Sequence, residues 1–486
     1  MSLTATAERP TISPSLTQAD GQTRELSPLL RPTSACVIGA SPNRSKLANK
    51  ILRNVLRAKG LDGIFPVNPG YKFVEGLQCF SSVLDIGRSV DMAIICLPAA
   101  KVLDALNDCI AGHVRAAVII SSGFAEMQTP EGRSLQEDLR QAAQGNIRIL
   151  GPNTMGFYIP ETGLDALFLD RETFVRPGRG GIALVTQSGS LGVYFMEELS
   201  TLDCGLSMFI GLGNELDVDE CDVLEYLAHD PNTRAIGMYL ESISDGERFF
   251  RVANDLARKK PMILLKGGRT SSGTKATGLH TGRLSGSYGA IKGIMEQTGI
   301  IEARDEVEIL DLVRAFSTSV PVRGDRAMIV TNGGGNGIVC ADILEEDRKG
   351  VLRLVDLAPD TKQALGRYLP PYISVSNPLD ITAQASDNEY VKVLGHLCEN
   401  RLCDVIILGL TTSGSISGAL PERLSEVAGR YNMPLFVYLK GDAISASFQR
   451  KFERAGIPAY GSVRQAVRAA NAVARWYKER DDIDTR

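Results

Sequence analysis

The sequence predicts an α/β protein built from doubly wound domains, each with a parallel sheet covered by helices on both faces. Short apolar runs, of the kind found in strands buried on both faces, alternate with amphipathic stretches of helical length. The chain has 486 residues, which at about 100–200 residues per domain corresponds to two to four domains. Apolar residues make up 44% and charged residues 23% of the chain, which excludes fibrous and wholly disordered proteins.

The predicted strands fall into three sets along the chain, and helix-like stretches separate them. Strands that alternate with helices favour right-handed βαβ units. The apolar runs lie at residues 36–40, 64–68, 92–97, 117–121, 147–150, 182–185, 236–240, 262–265, 328–331, 352–355, 405–408 and 435–438.

Two breaks that contain Gly and Pro separate these sets, one at Gly151-Pro152-Asn153 and one over residues 319–325. Each of the resulting segments is large enough to form its own core. We therefore expect a polar N-terminal tail and three domains, with the tail over residues 1–27 and the domains over residues 28–153, 154–320 and 321–486.

Composition and charge exclude several classes of function. The net charge of −4 argues against general nucleic-acid binding, which needs a basic surface. No apolar stretch approaches the ~20 residues of a membrane-spanning helix, and the first 30 residues lack the apolar core of a secretory signal. The nine cysteines form no CxxC pair, so we predict neither a zinc site nor a disulfide framework. Together these features predict a cytoplasmic protein without a metal site.

The first predicted strand ends in a turn, Val37-Ile-Gly-Ala-Ser41, that could bind an anion. Ligands of open α/β sheets bind beyond the carboxyl ends of the strands, where the N–H groups of the next helix attract negative charge. Residues 31–61 contain seven Lys and Arg but no Asp or Glu, and Lys46 is among those nearest the turn. A polyanionic nucleotide is therefore a reasonable ligand. The alternative is an ordinary strand-to-helix turn, because Gly39 is all that remains of a dinucleotide fingerprint.

Two later strands run into similar turns, which we call the first glycine turn (Thr186-Gln-Ser-Gly-Ser-Leu-Gly192) and the second glycine turn (Thr331-Asn-Gly-Gly-Gly-Asn-Gly337). Each could hold a phosphate with backbone N–H groups and a hydroxyl. Neither is a P-loop, because no Gly-Lys-Ser/Thr follows. Taken one at a time, each could equally be an ordinary tight turn. The candidate anion-binding residues are Gln187, Ser188, Gly189, Asn332, Gly333, Gly334 and Gly335.

The segment 266–289 contains seven Gly and eight Ser or Thr among its 24 residues. Because it has no apolar period, we expect a long functional loop rather than a helix or strand. His280 lies in its middle, and a neutral imidazole is a nucleophile near pH 7. Glu241, which follows the predicted strand 236–240, is a candidate carboxylate partner for that imidazole. The alternatives are a flexible linker with an incidental histidine and a solvated glutamate.

With these residues, the chain resembles the α subunit of ADP-forming acyl-CoA synthetases of the acetate–CoA ligase type, within the succinyl-CoA synthetase superfamily. The resemblance covers about residues 28–475, and its most specific part is the combination of HTG at residues 280–282 with QSG at residues 187–189. The other matching motifs are Val37-Ile-Gly-Ala-Ser41, Pro66-Val-Asn-Pro69, Gly151-Pro-Asn153, Gly213-Asn214, Tyr239-Leu-Glu241 and Asn377-Pro-Leu-Asp380.

The resemblance implies a CoA-binding Rossmann-like domain followed by two flavodoxin-like, succinyl-CoA synthetase-like domains. It also implies that His280 is phosphorylated and that Glu241 is its carboxylate partner. The first glycine turn would serve the CoA-thioester site, and the second would serve the nucleotide site. The implied CoA contacts are Gly39, Ala40, Ser41, Lys46, Asn68 and Pro98.

The implied activity is that of an acid–thiol ligase. It interconverts acyl-CoA, ADP and phosphate with a small carboxylic acid, CoA and ATP through acyl phosphate and phosphohistidine intermediates. ADP or ATP with Mg²⁺ would bind mainly to a separate ATP-grasp β subunit, in an α2β2 hetero-oligomer, because nothing in this sequence resembles the lysine-bearing nucleotide clamp. Nucleic acids and membranes are not expected partners. Two other interpretations stay open: a regulatory or scaffold protein that binds CoA or acyl-CoA without turnover, and an NAD(P)-binding oxidoreductase.

Overall fold

The computed structural model describes residues 25–281, 287–347, 350–412, 415–440 and 443–484, which form three successive sheet units. Most of the predicted N-terminal tail lies outside the described residues, and a short helix, α1, spans Ser27–Leu30. The fold class predicted from the sequence, α/β with doubly wound sheets, is confirmed.

The first sheet has five parallel strands, and a two-stranded antiparallel hairpin accompanies it. Its innermost strands are buried along their whole length, which explains why their sequences are continuously apolar. The strands are β1 (Ser34–Ile38), β2 (Gly63–Val67), β3 (Phe73–Val74), β4 (Leu77–Gln78), β5 (Met92–Ile95), β6 (Ala116–Ile119) and β7 (Arg148–Leu150). The helices are α2 (Leu47–Val55), α3 (Val102–Ala111) and α4 (Pro130–Ala143).

The second sheet has seven strands, of which two at one edge run antiparallel to their neighbours. The strands are β8 (Phe157–Ile159), β9 (Leu164–Asp165), β10 (Arg179–Thr186), β11 (Leu206–Gly211), β12 (Ala235–Leu240), β13 (Met262–Lys266) and β14 (Ile301–Glu302). The helices are α5 (Gly189–Thr201), α6 (Glu220–His229), α7 (Gly246–Ala257), α8 (Ser271–Thr281), α9 (Tyr288–Thr298) and α10 (Glu306–Thr318).

The third sheet has six strands, all paired in parallel. The strands are β15 (Arg326–Thr331), β16 (Arg353–Leu354), β17 (Leu379–Asp380), β18 (Val405–Thr411), β19 (Leu435–Lys440) and β20 (Ala459–Tyr460). The helices are α11 (Gly334–Glu346), α12 (Pro359–Gly366), α13 (Asp387–Glu399), α14 (Leu420–Tyr431), α15 (Ala443–Arg454) and α16 (Val463–Asp484).

Among the strands that pair in parallel, the order reverses once in each sheet, and this reversal determines where ligands can bind. The orders are β2-β1-β5-β6-β7, β14-β13-β12-β10-β11-β8-β9 and β16-β15-β18-β19-β20. The reversals therefore lie between β1 and β5, between β10 and β12, and between β15 and β18. At such points the connections leave toward opposite faces and open a crevice at the carboxyl ends of the strands. The three turns identified in the sequence follow β1, β10 and β15, so each lies beside one of these crevices.

The second and third sheets share one apolar core, to which α5, α10, α11 and α16 contribute. A buried ion pair lies in the same region: Arg314 on α10 contacts Glu453 on α15 at 2.5 Å. Asp311 contacts the same guanidinium at 2.6 Å, and the ring of Tyr460 lies 5.1 Å from it. These contacts join the second and third sheets through charge as well as packing.

The segment 266–289 differs from the prediction of a long loop, because α8 occupies residues 271–281 and α9 begins at Tyr288. The hydroxyl of Thr270 accepts a hydrogen bond from the N–H of Gly273 at 3.1 Å and so caps the helix. The hydroxyl of Thr277 donates to the carbonyl of Gly273 at 2.9 Å. The polar cap at Thr270 thus supports the start of this helix, which has no apolar stripe of the kind that the sequence argument required. Residues 282–286 lie outside the described part of the chain.

Within the described ranges, no helix is both long and apolar enough to cross a membrane. The nine cysteines are all free thiols, so packing and polar contacts rather than disulfides hold the elements together.

Replacing Glu453 by Gln removes one of the two negative charges that face the buried guanidinium of Arg314. We expect the free energy of unfolding to fall by about 3–5 kcal/mol, because breaking a buried ion pair leaves an uncompensated charge. Chemical denaturation measures the change. The control is Glu479→Gln on α16, whose side chain is 58% exposed and which should shift stability by less than about 0.5 kcal/mol. Equal effects of the two variants would contradict this account of the core.

Candidate active site

The first glycine turn joins β10 to α5 and is fixed by two hydroxyl groups. The hydroxyl of Thr186 accepts from the N–H of Ser188 at 3.0 Å and donates to the carbonyl of Ser188 at 2.8 Å. The hydroxyl of Ser188 caps the helix by accepting from the N–H of Leu191 at 3.4 Å. The first N–H groups of a helix have no partner within it, so the turn directs such groups toward the crevice between β10 and β12. The structure therefore places Ser188 and Gly189 where the sequence predicted an anion site.

The side chain of Gln187 crosses the crevice and holds the end of β12. Its carboxamide oxygen accepts from the N–H groups of Glu241 and Ser242, at 2.5 and 3.0 Å. Its nitrogen donates to the carbonyl of Ser242 at 2.9 Å and to a carboxylate oxygen of Glu215 at 2.7 Å. One amide thereby links the first glycine turn, Glu241 and a second buried acid.

Glu241 lies beyond the last residue of β12 and is only 5% exposed. It hydrogen-bonds the hydroxyl of Tyr239, and burial together with this acidic neighbour raises the pKa of that phenol well above its usual range. Residues two apart on a strand lie on the same face, which is the signal in the motif Tyr239-Leu-Glu241 that would have revealed this pair.

Gly267, directly after β13, lies against the same two side chains. A Cβ atom at this position would lie 2.8 Å from the Tyr239 hydroxyl oxygen and 3.2 Å from Cγ of Glu241. The absence of a side chain therefore lets the backbone that leads to α8 pass close to the side chains of Tyr239 and Glu241.

Helix α8 carries His280 in its last turn and reaches the first sheet unit. The side-chain amide of Gln128, in the connection that precedes α4, donates to the carbonyl of Gly278 at 3.3 Å. The side chain of His280 lies outside the described part of the structure, so its pairing with Glu241 stays a prediction.

The second glycine turn repeats the geometry of the first. The hydroxyl of Thr331 accepts from the N–H of Gly333 and donates to its carbonyl, both at 3.2 Å. The side chain of Asn332 crosses to the end of β18, accepting from the N–H of Thr411 at 2.8 Å and donating to its carbonyl at 3.0 Å. Asp380, at the end of β17, lies beside the start of α11, because a Cβ on Gly334 would be 3.0 Å from its carboxylate. Gly335 is open to solvent.

The predicted CoA residues meet at the carboxyl edge of the first sheet. Gly39 has φ +91°, and a Cβ there would lie 2.5 Å from the carbonyl oxygen of Cys96, so the turn requires glycine. The side-chain amide of Asn68 donates to the carbonyl of Ala40 at 2.8 Å and thus joins the ends of β1 and β2. The hydroxyl of Ser41 accepts from the N–H of Asn43 at 3.2 Å. The remaining two candidates also lie at this edge, with exposed Lys46 directly before α2 and Pro98 after β5.

Three family models match successive parts of the chain. Residues 33–160 match the CoA binding domain, residues 179–316 match the succinyl-CoA ligase like flavodoxin domain, and residues 327–481 match the ligase-CoA domain. The matches follow the three sheets in order.

Whole-chain relatives agree with these models. The α subunits of the ADP-forming acetate–CoA ligases I and II of Pyrococcus furiosus are 35% and 33% identical to this chain. The alignments cover 93% and 92% of this chain and 98% and 97% of those subunits. The chain belongs to the ADP-forming acetate–CoA ligase family. Membership confirms the family, the fold and the enzyme class, acid–thiol ligation, that the sequence predicted.

For two further relatives, the share of their length that this chain covers differs. The ADP-forming acetate–CoA ligase I of Archaeoglobus fulgidus is 34% identical over 93% of this chain, which spans 63% of that ligase. The solved acetyl-coenzyme A synthetase 1 of Ca. Korarchaeum cryptofilum, in complex with phosphate and ADP, superposes with a TM-score of 0.87 at 30% identity. That superposition covers 94% of this chain and 98% of the solved one.

The role of Gln187 can be tested by replacing it with Met, which keeps the length of the side chain but none of its hydrogen bonds. We expect the free energy of unfolding to fall by at least about 2 kcal/mol, because buried backbone groups at Glu241 and Ser242 lose their partner. Gln141→Met on the exposed surface of α4 is the control. If both variants unfold at the denaturant concentration of the parent, the carboxamide does not hold the strand ends.

Proposed function

We propose that this chain, together with an ATP-using partner, interconverts acyl-CoA, ADP and phosphate with a carboxylic acid, CoA and ATP. In the first step phosphate attacks the thioester, so that the carbon–sulfur bond breaks and an acyl phosphate and free CoA form. His280 then takes the phosphoryl group and releases the carboxylate. ADP finally accepts the phosphoryl group from the phosphohistidine. The reverse sequence activates the acid at the expense of ATP.

The observation that carries this proposal is the network around Gln187. The carboxamide of Gln187, in the turn that we assign to anion binding, accepts from the backbone N–H groups of Glu241 and Ser242 at 2.5 and 3.0 Å across one crevice. Phosphoryl transfer depends mainly on positioning and charge stabilisation. A phosphate held by backbone N–H groups beside a carboxylate that orients an imidazole meets both needs.

We assign three roles within this crevice. Glu241 accepts a hydrogen bond from one ring nitrogen of His280, which fixes the tautomer and stabilises the imidazolium. The first glycine turn, through Gln187, Ser188 and Gly189, holds the phosphoryl group while it moves between acyl phosphate and histidine. Support comes from α8, which starts four residues beyond Gly267 and carries His280 in its last turn.

The second glycine turn, Asn332 to Gly335, is assigned as a second phosphate station on the path to the nucleotide. Its threonine and amide side chains repeat the arrangement of the first turn. In the proposal, these two equivalent anion sites lie in the second and third sheet units. One holds the phosphoryl group before it is transferred and the other holds it afterwards.

CoA is assigned to the carboxyl edge of the first sheet, at Gly39, Ala40, Ser41, Lys46, Asn68 and Pro98. The glycine geometry allows the backbone to approach a phosphate, and Lys46 adds positive charge at the start of α2. The family model for a CoA binding domain over residues 33–160 supports this assignment.

A partner subunit is part of the proposal. The two Pyrococcus relatives are named as alpha subunits, and this chain spans nearly all of each of them. We propose that an ATP-grasp β subunit supplies the ADP or ATP site with its Mg²⁺ and that the assembly is α2β2.

His280 can be tested by incubating the chain and its partner with ATP labelled on the γ-phosphate. The wild-type chain should take up label that is stable in alkali and lost in acid, as expected for a phosphoramidate. His280→Ala should take up none and should lose turnover. The control is His229→Ala, on the exposed end of α6, which should keep both. A regulatory protein without turnover would give no labelled wild-type chain, and full activity of His280→Ala would refute the assignment.

In the proposed mechanism phosphate approaches the backbone of the first glycine turn closely. We therefore expect Gly189→Ala to slow phosphorylation without changing stability. A Cβ there meets nothing within 4 Å, so stability should change by less than about 0.5 kcal/mol. Phosphorylation of His280 by acyl-CoA and phosphate should nevertheless slow by about 10-fold or more, because the methyl group occupies space that the phosphate needs at the first glycine turn. Gly246→Ala is a matched control, since Gly246 also opens a helix and is equally unobstructed. Equal phosphorylation rates in both variants would place the phosphate elsewhere.

A further inference from the structure

Lys266, the last residue of β13, is a buried lysine that the proposed mechanism does not yet use. Lys266 is only 2% exposed. Such burial is rare for lysine, because burying an ammonium is costly unless its charge is compensated. It pairs in register with Leu240, so its side chain lies at the same sheet edge as Glu241.

The ammonium of Lys266 joins the ends of two strands. It donates to the backbone carbonyl of Glu241 at 2.7 Å and also to the backbone carbonyl of Gly267. The first bond fixes the residue that carries the carboxylate. The second fixes the residue from which the chain turns toward α8 and His280.

Charge provides a second connection between Lys266 and the site. Burial lowers the pKa of the ammonium, whereas the negative charge of Glu241 acts in the opposite direction. The negative charge of Glu241 thus offsets part of the cost of burying this cation. A hydrogen-bonding role alone would not require a charge, because a neutral amide also donates to two carbonyls.

We propose that Lys266 is a positioning residue for phosphoryl transfer: its ammonium holds the backbone of Glu241, and through it the carboxylate, in one arrangement with the start of the His280 segment at the ends of β12 and β13. This inference rests on the proposed function, because it assigns Lys266 a role that acts through Glu241. Lys266 itself exchanges no proton and forms no covalent bond in the reaction.

Lys260 provides a matched control at the opposite end of β13. Its ammonium likewise donates to two backbone carbonyls, those of Leu227 and Asp230, at 2.6 and 2.5 Å. Burial lowers the pKa of Lys260 as well. Lys260→Met therefore removes the same kinds of contact far from the crevice, and it measures the purely structural cost of losing such a lysine.

The test is the single-turnover rate at which acyl-CoA and phosphate phosphorylate His280 in the assembled enzyme, with the melting temperature and the dissociation constant of acyl-CoA measured in parallel. Lys266→Met should slow phosphorylation by about 100-fold, the loss typical of a misplaced reacting group, while acyl-CoA affinity stays within about twofold. Lys266→Arg should restore most of the rate. Lys260→Met should stay within about twofold of the parent rate.

A double substitution shows whether Lys266 acts through Glu241. Because both single changes disturb the same carboxylate, Glu241→Gln with Lys266→Met should be no slower than Glu241→Gln alone. Additive losses would overturn the inference, as would equal rates of Lys266→Met and Lys260→Met. If Lys266→Met does not fold, Lys266→Gln replaces it under the same criteria. Failure of the wild-type chain to label at His280 would reject the proposed function, whereas a labelled wild type with an unaffected Lys266 variant would reject this inference alone.

Discussion

The hydrogen bonds from the carboxamide of Gln187 to the backbone of Glu241 and Ser242 are the interactions on which the rest of the site depends. Parallel strands end at the same edge of a sheet, but at a reversal of strand order the following segments leave toward opposite faces. Backbone hydrogen bonds pair β10 with β12, and the N–H of Gln187 donates to the carbonyl of Tyr239 at 3.1 Å. The carboxamide of Gln187 adds a side-chain link across the crevice and connects a helix start that attracts anions to a buried acid.

The third sheet has the same kind of side-chain link at its reversal of strand order, formed by different residues. Asn332 takes the place of Gln187, and Thr411 takes the place of Glu241 at the end of the central strand. The repetition gives the molecule two turns of similar design, but only the first has the buried glutamate at that position. The two sheets also share one core, in which Arg314 is buried. In the proposed mechanism the segment that follows Lys266, rather than a rearrangement of the sheets, carries the phosphoryl group.

Much of the fold and part of the site could be predicted from the sequence. Continuous apolar runs identify the buried parallel strands, and small-residue turns directly after them mark the crevices, which is why Gln187 and Asn332 were found. Helix α8 was missed because the cap at Thr270 starts it locally and it carries no apolar period. Lys266 was missed for a different reason: its partners are backbone carbonyls of residues brought together only by strand pairing.

The most direct test of this account is an experimental structure of the complex between this chain and its ATP-using partner, trapped after phosphorylation in the absence of acid and CoA. The account predicts a phosphoryl group on His280 whose oxygens accept hydrogen bonds from N–H groups of the first or the second glycine turn. When the phosphoryl group lies at the first glycine turn, the carboxylate of Glu241 should be within hydrogen-bonding distance of the ring nitrogen of His280 that carries no phosphoryl group. A phosphoryl group on another residue, or a phosphohistidine remote from both turns, would contradict it.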